Sequence, residues 1–156
     1  MMSSRHVRTS AKAIIIQKGR LLAIRNHSEG IDWYILPGGG QRHGETLTDT
    51  LKRECMEEAS VQIIPGDIIF IRDYIAANHE FAEEDGDAHQ VEFMFRCVIA
   101  GVAEPKNGAV TDQWQTGVTW IPLEEIEHYA IYPKQLKELL KNGIPENYPV
   151  YLGDIN

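Results

Sequence analysis

Four acidic side chains lie in one short segment that begins with a glycine-rich loop. Glu45 follows the loop, and Glu54, Glu57 and Glu58 follow on a predicted helix over residues 46–59. Because an α-helix has about 3.6 residues per turn, residues at i, i+3 and i+4 project from one face. Carboxylates this close repel one another unless a divalent cation such as Mg²⁺ or Mn²⁺ binds them. The spacing therefore predicts metal-dependent chemistry, with Glu57 and Glu58 as the primary metal ligands.

The loop before the helix indicates which ligand the metal serves. It contains Gly38, Gly39 and Gly40, whose backbone can approach a ligand closely, and the following helix N-terminus attracts anions. The spacing from Gly39 to Thr46 resembles that of a nucleotide-binding P-loop, but Glu45 stands where that loop has its lysine. A glutamate repels phosphate unless a metal intervenes. The P-loop is therefore excluded, and Glu45 is either a fourth acid near the metals or an anchor for the loop.

Residues 39–61 resemble the signature box of the Nudix hydrolase family. The pattern consists of Gly39, then Glu45, then the run from Arg53 to Val61 that includes the three helical glutamates. The sequence departs from the box at Ser60, where the family has a glycine. Strands interleaved with a few helices indicate an α/β or α+β sandwich. The resemblance implies a fold of that kind, a Nudix-like α/β/α sandwich with a central mixed β-sheet.

The resemblance also implies a reaction and residue roles. The reaction is hydrolysis of a diphosphate bond in a nucleoside diphosphate linked to another moiety, by water attack on phosphorus. Two or more Mg²⁺ or Mn²⁺ ions would neutralise the developing charge. Glu54 either binds metal or accepts the proton from water, the Gly39 carbonyl is a further ligand, and Arg53 orients the carboxylates through its guanidinium fork.

A different reading is a domain that senses nucleotides or binds a partner on the same scaffold without catalysis. Fold alone does not decide between them. A sensor has no need to keep Arg53 together with all three helical acids, and all are present. Hydrolysis is therefore the favoured prediction.

A further metal ligand is expected from outside the box, as the resemblance implies. Gln113 and Gln115 occupy the region where an acid would be expected, and an amide cannot neutralise a cation. Two acids remain, Asp112 and Glu92. Glu92 begins an apolar run, where a charged side chain is rarely buried unless it is paired or bound to metal. We predict Glu92 as the ligand, against the alternative of an outward-facing strand residue.

The acidic segment 80–87 has two interpretations. It is either a mobile surface connection or a loop that folds over the substrate and brings a carboxylate to the water. Neither His43 nor His89 is assigned a role, since a lone histidine is more often a surface or hydrogen-bonded residue. Six aromatic residues either line a substrate pocket or fill the core. They are Trp33, Tyr34, Phe70, Tyr74, Phe93 and Phe95.

Local patterns predict the elements that position these residues. A hairpin turn is expected at residues 17–19, and Leu51, Cys55 and Ala59 belong to an apolar stripe that packs the acidic helix onto the core. The predicted strands cover residues 8–16, 20–25, 32–36, 61–76, 91–100 and 117–121. The predicted helices cover residues 46–59, 123–128 and 133–142.

Composition indicates one compact domain over residues 1–156, with 43% apolar and 24% charged residues. The net charge of −8 argues against a nucleic-acid partner and favours a small nucleotide derivative bound through metal. The apolar run at residues 13–16 is too short for a signal peptide or a membrane span, which predicts a cytoplasmic protein without a membrane partner. A homodimer is compatible with the sequence. Cys55 and Cys97 are predicted to be buried and reduced.

Overall fold

The computed structural model describes residues 5–156, so the first four residues of the predicted 1–156 domain lie outside the described residues. Over this range the chain forms short 3₁₀ helices at Ala76–Asn78 and Leu123–His128, besides strands and α-helices. The strands are β1 (Arg8–Ile14), β2 (Ile16–Gln17), β3 (Arg20–Ser28), β4 (Ile31–Ile35), β5 (Gly38–Gly40), β6 (Ile63–Ile75), β7 (His89–Ile99), β8 (Gln115–Pro122), β9 (Ile131–Tyr132) and β10 (Tyr151–Asp154). The α-helices are α1 (Leu47–Ala59), α2 (Ala82–Asp85) and α3 (Leu136–Leu140).

The strands form two mixed sheets. One sheet has the order β10-β6-β7-β1-β5, in which β1 pairs with β7 and β6 with β10 in parallel. The other has the order β2-β3-β4-β9, with β8 paired to β3. The run predicted as one strand over residues 8–16 belongs to both sheets, because β1 ends at Ile14 and β2 begins at Ile16. Mixed sheets with few helices confirm the predicted α+β class.

Two apolar layers cover the opposite sides of the strands. In β3, Leu21 belongs to the layer that includes α3 and the 3₁₀ helix 123–128, whereas Leu22 belongs to the layer that includes α1. This alternation follows from the strand period of two residues. From α1, Leu51 and Cys55 are buried in the second layer, as the predicted apolar stripe requires. The helix thus packs through one face and keeps its acidic face at the edge of the glycine strand.

Helix α1 has a defined start and end. At the start, the Thr46 hydroxyl accepts from the Asp49 amide at 3.1 Å and the Asp49 carboxylate accepts from the Thr46 amide at 3.0 Å, which is a capping box. At the end, Ser60 has φ 55° and ψ 34° in the left-handed region. Glycine enters this region without steric cost, whereas serine does not. Ser60, which replaces the glycine of the Nudix box, therefore adopts the same left-handed conformation that a glycine would take at this helix end.

Several elements differ in extent from their predictions. Segment 80–87 contains the short helix α2 and is not an irregular loop throughout. Helix α3 is shorter than the predicted 133–142, because the Leu136 amide bonds to the Pro133 carbonyl in the tighter i to i+3 pattern. The run 61–76, which the sequence predicts as one strand or as two strands broken at Pro65 and Gly66, forms the single strand β6 with a register irregularity near Pro65.

Both cysteines are buried free thiols, as predicted. Among the described residues, no helix is long and apolar enough to cross a membrane.

Candidate active site

The glycine loop is an edge strand, β5, that runs antiparallel to β1. Gly38 has φ 138°, and a Cβ there would lie 2.1 Å from the carbonyl oxygen of Ala11. A Cβ on Gly39 would lie 2.6 Å from the carboxyl carbon of Glu54. Side chains at these positions would therefore collide with β1 or with the acidic helix. Glycine is required at Gly38 because the backbone of β1 lies against it, whereas a side chain at Gly39 would displace the Glu54 carboxylate.

Arg53 connects the acids to the glycine strand. Its guanidinium donates to Glu45 at 2.7 and 2.9 Å, to Glu54 at 2.8 Å and to the Gly40 carbonyl at 3.1 Å. The predicted pair with Glu57 is present but longer, at 3.4 Å. Arg53 is only partly exposed, so these contacts are less screened than those on an open surface. The guanidinium therefore contacts three carboxylates, and its role in orienting them for metal stays a prediction.

Glu45 has the contacts of a loop anchor. Besides Arg53, its carboxylate accepts from the Arg42 amide at 2.9 Å and the Thr50 hydroxyl at 3.1 Å. The hydrogen bonds from Arg53, followed by the one from Arg42, lower the pKa of Glu45 to about 2. Of the two roles considered from sequence, these contacts fit the anchor.

Glu58 is the most buried acid of the helix, with 4% of its surface exposed. Its carboxylate accepts from the Gly38 amide at 3.2 Å, and no lysine, arginine or histidine of residues 5–156 forms an ion pair with it. Burial raises the pKa of Glu58 to about 8; Lys12 opposes the shift, and neighbouring Glu54 adds to it. The carboxylates of Glu54 and Glu58 therefore repel each other in this partly buried site. A divalent cation between them would cancel the repulsion.

The three glutamates on the predicted metal-binding face of α1 do not form one cluster. Over residues 5–156, no group of three acidic, histidine or cysteine side chains is gathered closely enough to hold a metal ion. Arg53 bonds Glu54 and Glu57, whereas Glu58 accepts from the Gly38 amide and lies next to Glu54. The donors are nevertheless carboxylate oxygens beside backbone carbonyls, and this donor set fits Mg²⁺ or Mn²⁺.

Glu92 lies in β7 and is 6% exposed. Its carboxylate accepts from Arg72 Nε at 2.6 Å and from the Ser10 hydroxyl at 3.4 Å. Burial alone would raise the pKa of Glu92, but Arg72 and Lys12 lower it below its ordinary value. The ion pair with Arg72 explains the burial on which the metal-ligand assignment was based. That assignment stays a prediction.

The start of β8 and the loop before it contact the end of α1. Asp112 is exposed in the loop. The Gln115 amide donates to the Glu58 carbonyl at 2.8 Å and to Asn107 at 3.1 Å, which ties the loop to the last turn of α1. The structure gives Gln115 this positioning contact, a role that the sequence did not predict.

A cavity of about 160 Å³ opens beside the glycine strand. Of the aromatic residues singled out by sequence, Trp33 and Tyr74 line it. The others pack in the core or against its edge. Lining residues that sequence reasoning missed include Lys12, Arg72 and Tyr132, whereas Phe81 belongs to segment 80–87, for which a substrate-covering role was one of two interpretations. For Lys12 a signal existed, since it is a charged residue inside an apolar run.

The two histidines without an assigned role lie in a loop and on a strand. His43 is exposed in the loop that leads to α1. His89 bonds Asp73 at 2.7 Å.

Comparisons with known proteins agree with this architecture. A family model described as NUDIX domain matches residues 6–142. The chain resembles the solved structure of a NUDIX hydrolase from Nitrosomonas europaea with a TM-score of 0.69 and 16% identity, over 88% of each chain. It resembles a MutT NUDIX hydrolase from Burkholderia pseudomallei with a TM-score of 0.61 and 24% identity, over 77% of this chain and 86% of that one.

A third solved structure is an ADP-ribose pyrophosphatase from Streptococcus suis. The TM-score is 0.63 and the identity 14%, over 96% of this chain and 100% of that one. At such identities the likeness to solved structures shows the fold, while the family model covers most of the chain. The predictions of the family and of a Nudix-type pyrophosphohydrolase are confirmed. This chain belongs to the Nudix hydrolase family.

Proposed function

We propose that this protein hydrolyses the diphosphate bond of a nucleoside diphosphate linked to another moiety, with a divalent metal and by water attack on phosphorus. One observation carries the proposal. Glu54 and Glu58 lie directly against the glycine strand, at Gly39 and Gly38, and Arg53 links Glu54 to the same strand. The acids proposed to bind cations and the backbone proposed to admit a phosphate therefore lie side by side.

The proposed metal ligands are carboxylates and one backbone carbonyl. They are Glu54, Glu57, Glu58, Glu92 and the carbonyl of Gly39. When bound, two or more Mg²⁺ or Mn²⁺ ions would neutralise charge on the diphosphate and lower the pKa of the attacking water. Binding of the cations would also reduce the electrostatic repulsion between the carboxylates of Glu54 and Glu58.

The protein residues position the reactants. Arg53 holds Glu54 and Glu57 in place, and Glu45 fixes the arginine to the loop. Glu54 either binds metal or accepts the proton from the attacking water, and both roles need its place beside Gly39. The glycine strand lets a phosphate approach within contact of α1, which is the proximity that such a displacement requires.

The proposed partner is a small-molecule nucleotide derivative. The net charge of −8 disfavours nucleic acid. A cytoplasmic location and a homodimer remain proposals. The Streptococcus suis structure is named an ADP-ribose pyrophosphatase, so ADP-ribose is a sensible first substrate to test.

The test is a substrate panel with Mg²⁺ or Mn²⁺ in ¹⁸O-labelled water. The panel contains ADP-ribose, nucleoside diphosphate sugars and dinucleoside polyphosphates. We expect metal-dependent cleavage of at least one compound, with the label in a phosphate product because water attacks phosphorus. Exposed Glu124→Gln serves as a control variant with unchanged activity. Binding of a nucleotide without any cleavage across the panel would instead support the non-catalytic sensor.

A further inference from the structure

A half-buried lysine projects from the central strand β1 into the cavity beside the active site. Lys12 lies between Ala11 and Ala13, both fully buried, and its register partner in β5 is Gly38. Its ammonium nitrogen lies 3.4 Å from the Gly38 carbonyl and 3.5 Å from the Leu36 carbonyl. Both contacts are long for hydrogen bonds. Lys12 therefore retains donor capacity toward the cavity.

Among the described residues Lys12 forms no ion pair, although its charge acts on the nearby carboxylates of Glu58 and Glu92. Within residues 5–156, no aspartate or glutamate oxygen lies in ion-pair distance of its ammonium. The nearby acid Glu92 is already paired with Arg72 at 2.6 Å. Arg72 has further partners in the carbonyl of Ile155 at 2.6 Å and the side chain of Asn156 at 3.2 Å. Of these two cavity cations, Lys12 is the one left to bind an anion.

Gly38 joins this lysine to the acidic site. Its amide donates to Glu58 at 3.2 Å, while its carbonyl lies 3.4 Å from the Lys12 ammonium. The backbone of Gly38 thus lies between Glu58 of α1 and the Lys12 ammonium. A diphosphate that extends from the acids into the cavity must pass this point.

The far walls of the cavity suit a planar group. Phe81 and Tyr132 form an edge-to-face pair with ring centroids 5.2 Å apart, and Trp33 contributes a third ring. Aromatic walls bind flat rings through offset stacking and edge contacts. A nucleobase fits these walls, and its phosphate would then lie on the side of Lys12.

We propose that Lys12 binds the non-bridging oxygens of the phosphate next to the nucleoside, while the base occupies the aromatic cavity. This inference rests on the proposed hydrolysis of a nucleoside diphosphate derivative. It assigns Lys12 a substrate-binding role outside the acidic helix. It also fixes the direction of the substrate, with the nucleoside in the cavity and the second moiety beyond the acids.

The experiment compares nucleotide and nucleoside binding by calorimetry at saturating Mg²⁺. The probes are AMP, GMP, CMP and UMP and the matching nucleosides, none of which contains a diphosphate bond. We expect Lys12→Met to weaken binding of the preferred monophosphate about tenfold, the effect of losing one charge-assisted hydrogen bond. Binding of the matching nucleoside should stay within about twofold, because it lacks the phosphate. Lys12→Arg should retain most of the affinity, and exposed Lys18→Met is the matched control.

Three results would overturn the proposal. They are unchanged monophosphate binding in Lys12→Met, equal weakening of both ligands, and a wild-type protein that binds no monophosphate more tightly than its nucleoside. Equal weakening would show a merely structural lysine. If Lys12→Met does not fold, Lys12→Gln keeps the chain length and polarity while it removes the charge, and the same criteria apply.

The outcomes separate this inference from the proposed function. Selective weakening in Lys12→Met without hydrolysis of any diphosphate would retain the anion site and refute the function. Hydrolysis of a diphosphate by the wild type, together with normal monophosphate binding in Lys12→Met, would support the function and refute the anion site.

Discussion

Arg53 holds Glu45 through two parallel hydrogen bonds, Nε to Oε2 at 2.7 Å and Nη2 to Oε1 at 2.9 Å. Such a bidentate pair fixes direction as well as distance. The same guanidinium contacts Glu54 and the Gly40 carbonyl. Loop, helix and glycine strand are therefore tied together at one side chain, and the acids take their orientation from it.

Replacing this fork with a point charge should impair turnover. Arg53→Lys keeps the charge but cannot make the parallel bonds to Glu45 and the contact to Glu54 at once. We expect kcat to fall about 10- to 100-fold through misplaced carboxylates, while the fold is kept. Steady-state kinetics with circular dichroism checks this. Exposed Arg96→Lys is the control, and wild-type kcat in Arg53→Lys would show that the orientation is unimportant.

Glu92→Gln should destabilise the protein. The substitution leaves Arg72 buried without its carboxylate, and breaking a buried ion pair costs about 3 kcal/mol or more. The free energy of unfolding from denaturant titration measures this loss. A double variant Arg72→Met/Glu92→Met should recover part of it, because no charge is then left buried. An unchanged unfolding free energy in Glu92→Gln would contradict the pairing.

The metal role of Glu92 has a separate readout. If Glu92 binds metal, Glu92→Gln should need more Mg²⁺ for half-maximal activity and turn over slowly, because a neutral amide is a weaker ligand than a carboxylate. Asp112→Asn should behave like the wild type in the same Mg²⁺ titration. The reverse pattern would assign the further ligand to Asp112.

Ser60→Gly should stabilise the protein. Serine at φ 55° carries a steric cost that glycine lacks, partly offset by the greater freedom of glycine in the unfolded chain. We expect a gain of about 0.5–1 kcal/mol, seen as a higher Tm. The control is Ser28→Gly, because Ser28 does not have a positive φ. The Tm of this variant should decrease or remain unchanged. A lower Tm for Ser60→Gly would mean that the 3.5 Å contact of Ser60 to the Asn107 carbonyl dominates.

Stability at acid pH should depend on Asp154, which fastens β10 to β6. Its carboxylate accepts from the Ile75 amide, Asn78 and His79. Burial alone would raise the pKa of Asp154, but these hydrogen bonds outweigh it and lower the pKa from 3.8 to about 2. Because the folded-state pKa is depressed, the contribution is present above pH 3.8 and is lost as pH falls through about 2.

The test of Asp154 is unfolding as a function of pH. The wild type should lose more unfolding free energy between pH 4 and pH 2 than Asp154→Asn, which has no carboxylate to protonate, with this window set by the shift from 3.8 to about 2. Exposed Asp67→Asn is the control. Parallel pH profiles for wild type and Asp154→Asn would refute the assignment.

Elements with a local signal were predictable from sequence. The hairpin turn was one, because a glycine at position 19 separates two strand-like runs, and Lys18 and Gly19 take positive φ there. Helix α1 was another, since its capping residues and apolar stripe are local. By contrast, β5 has no side chains to show a pattern, and its pairing with β1 depends on backbone alone. Strand β10 owes its place to Asp154 and to partners far away in sequence.

For the candidate site too, groupings of residues within one element could be predicted from sequence, and contacts between distant strands could not. The three acids and Arg53 share one helix, so their spacing shows that they belong together. The pair of Arg72 with Glu92 joins two strands 20 residues apart, and Lys12 meets Gly38 only through the sheet register. Such contacts require the tertiary fold. The charges of Lys12 and Glu92 within apolar runs were the local signs of them.

The most direct test of metal-dependent diphosphate hydrolysis is the turnover of Glu57→Gln at saturating Mg²⁺ on the best substrate of the panel. The variant keeps the shape of the side chain but removes a charge that the cations need, so we expect kcat to fall by about 10² to 10⁴ with the fold intact. Glu124→Gln should retain wild-type kcat. Wild-type turnover in Glu57→Gln would show that the acidic face of α1 is not the metal site.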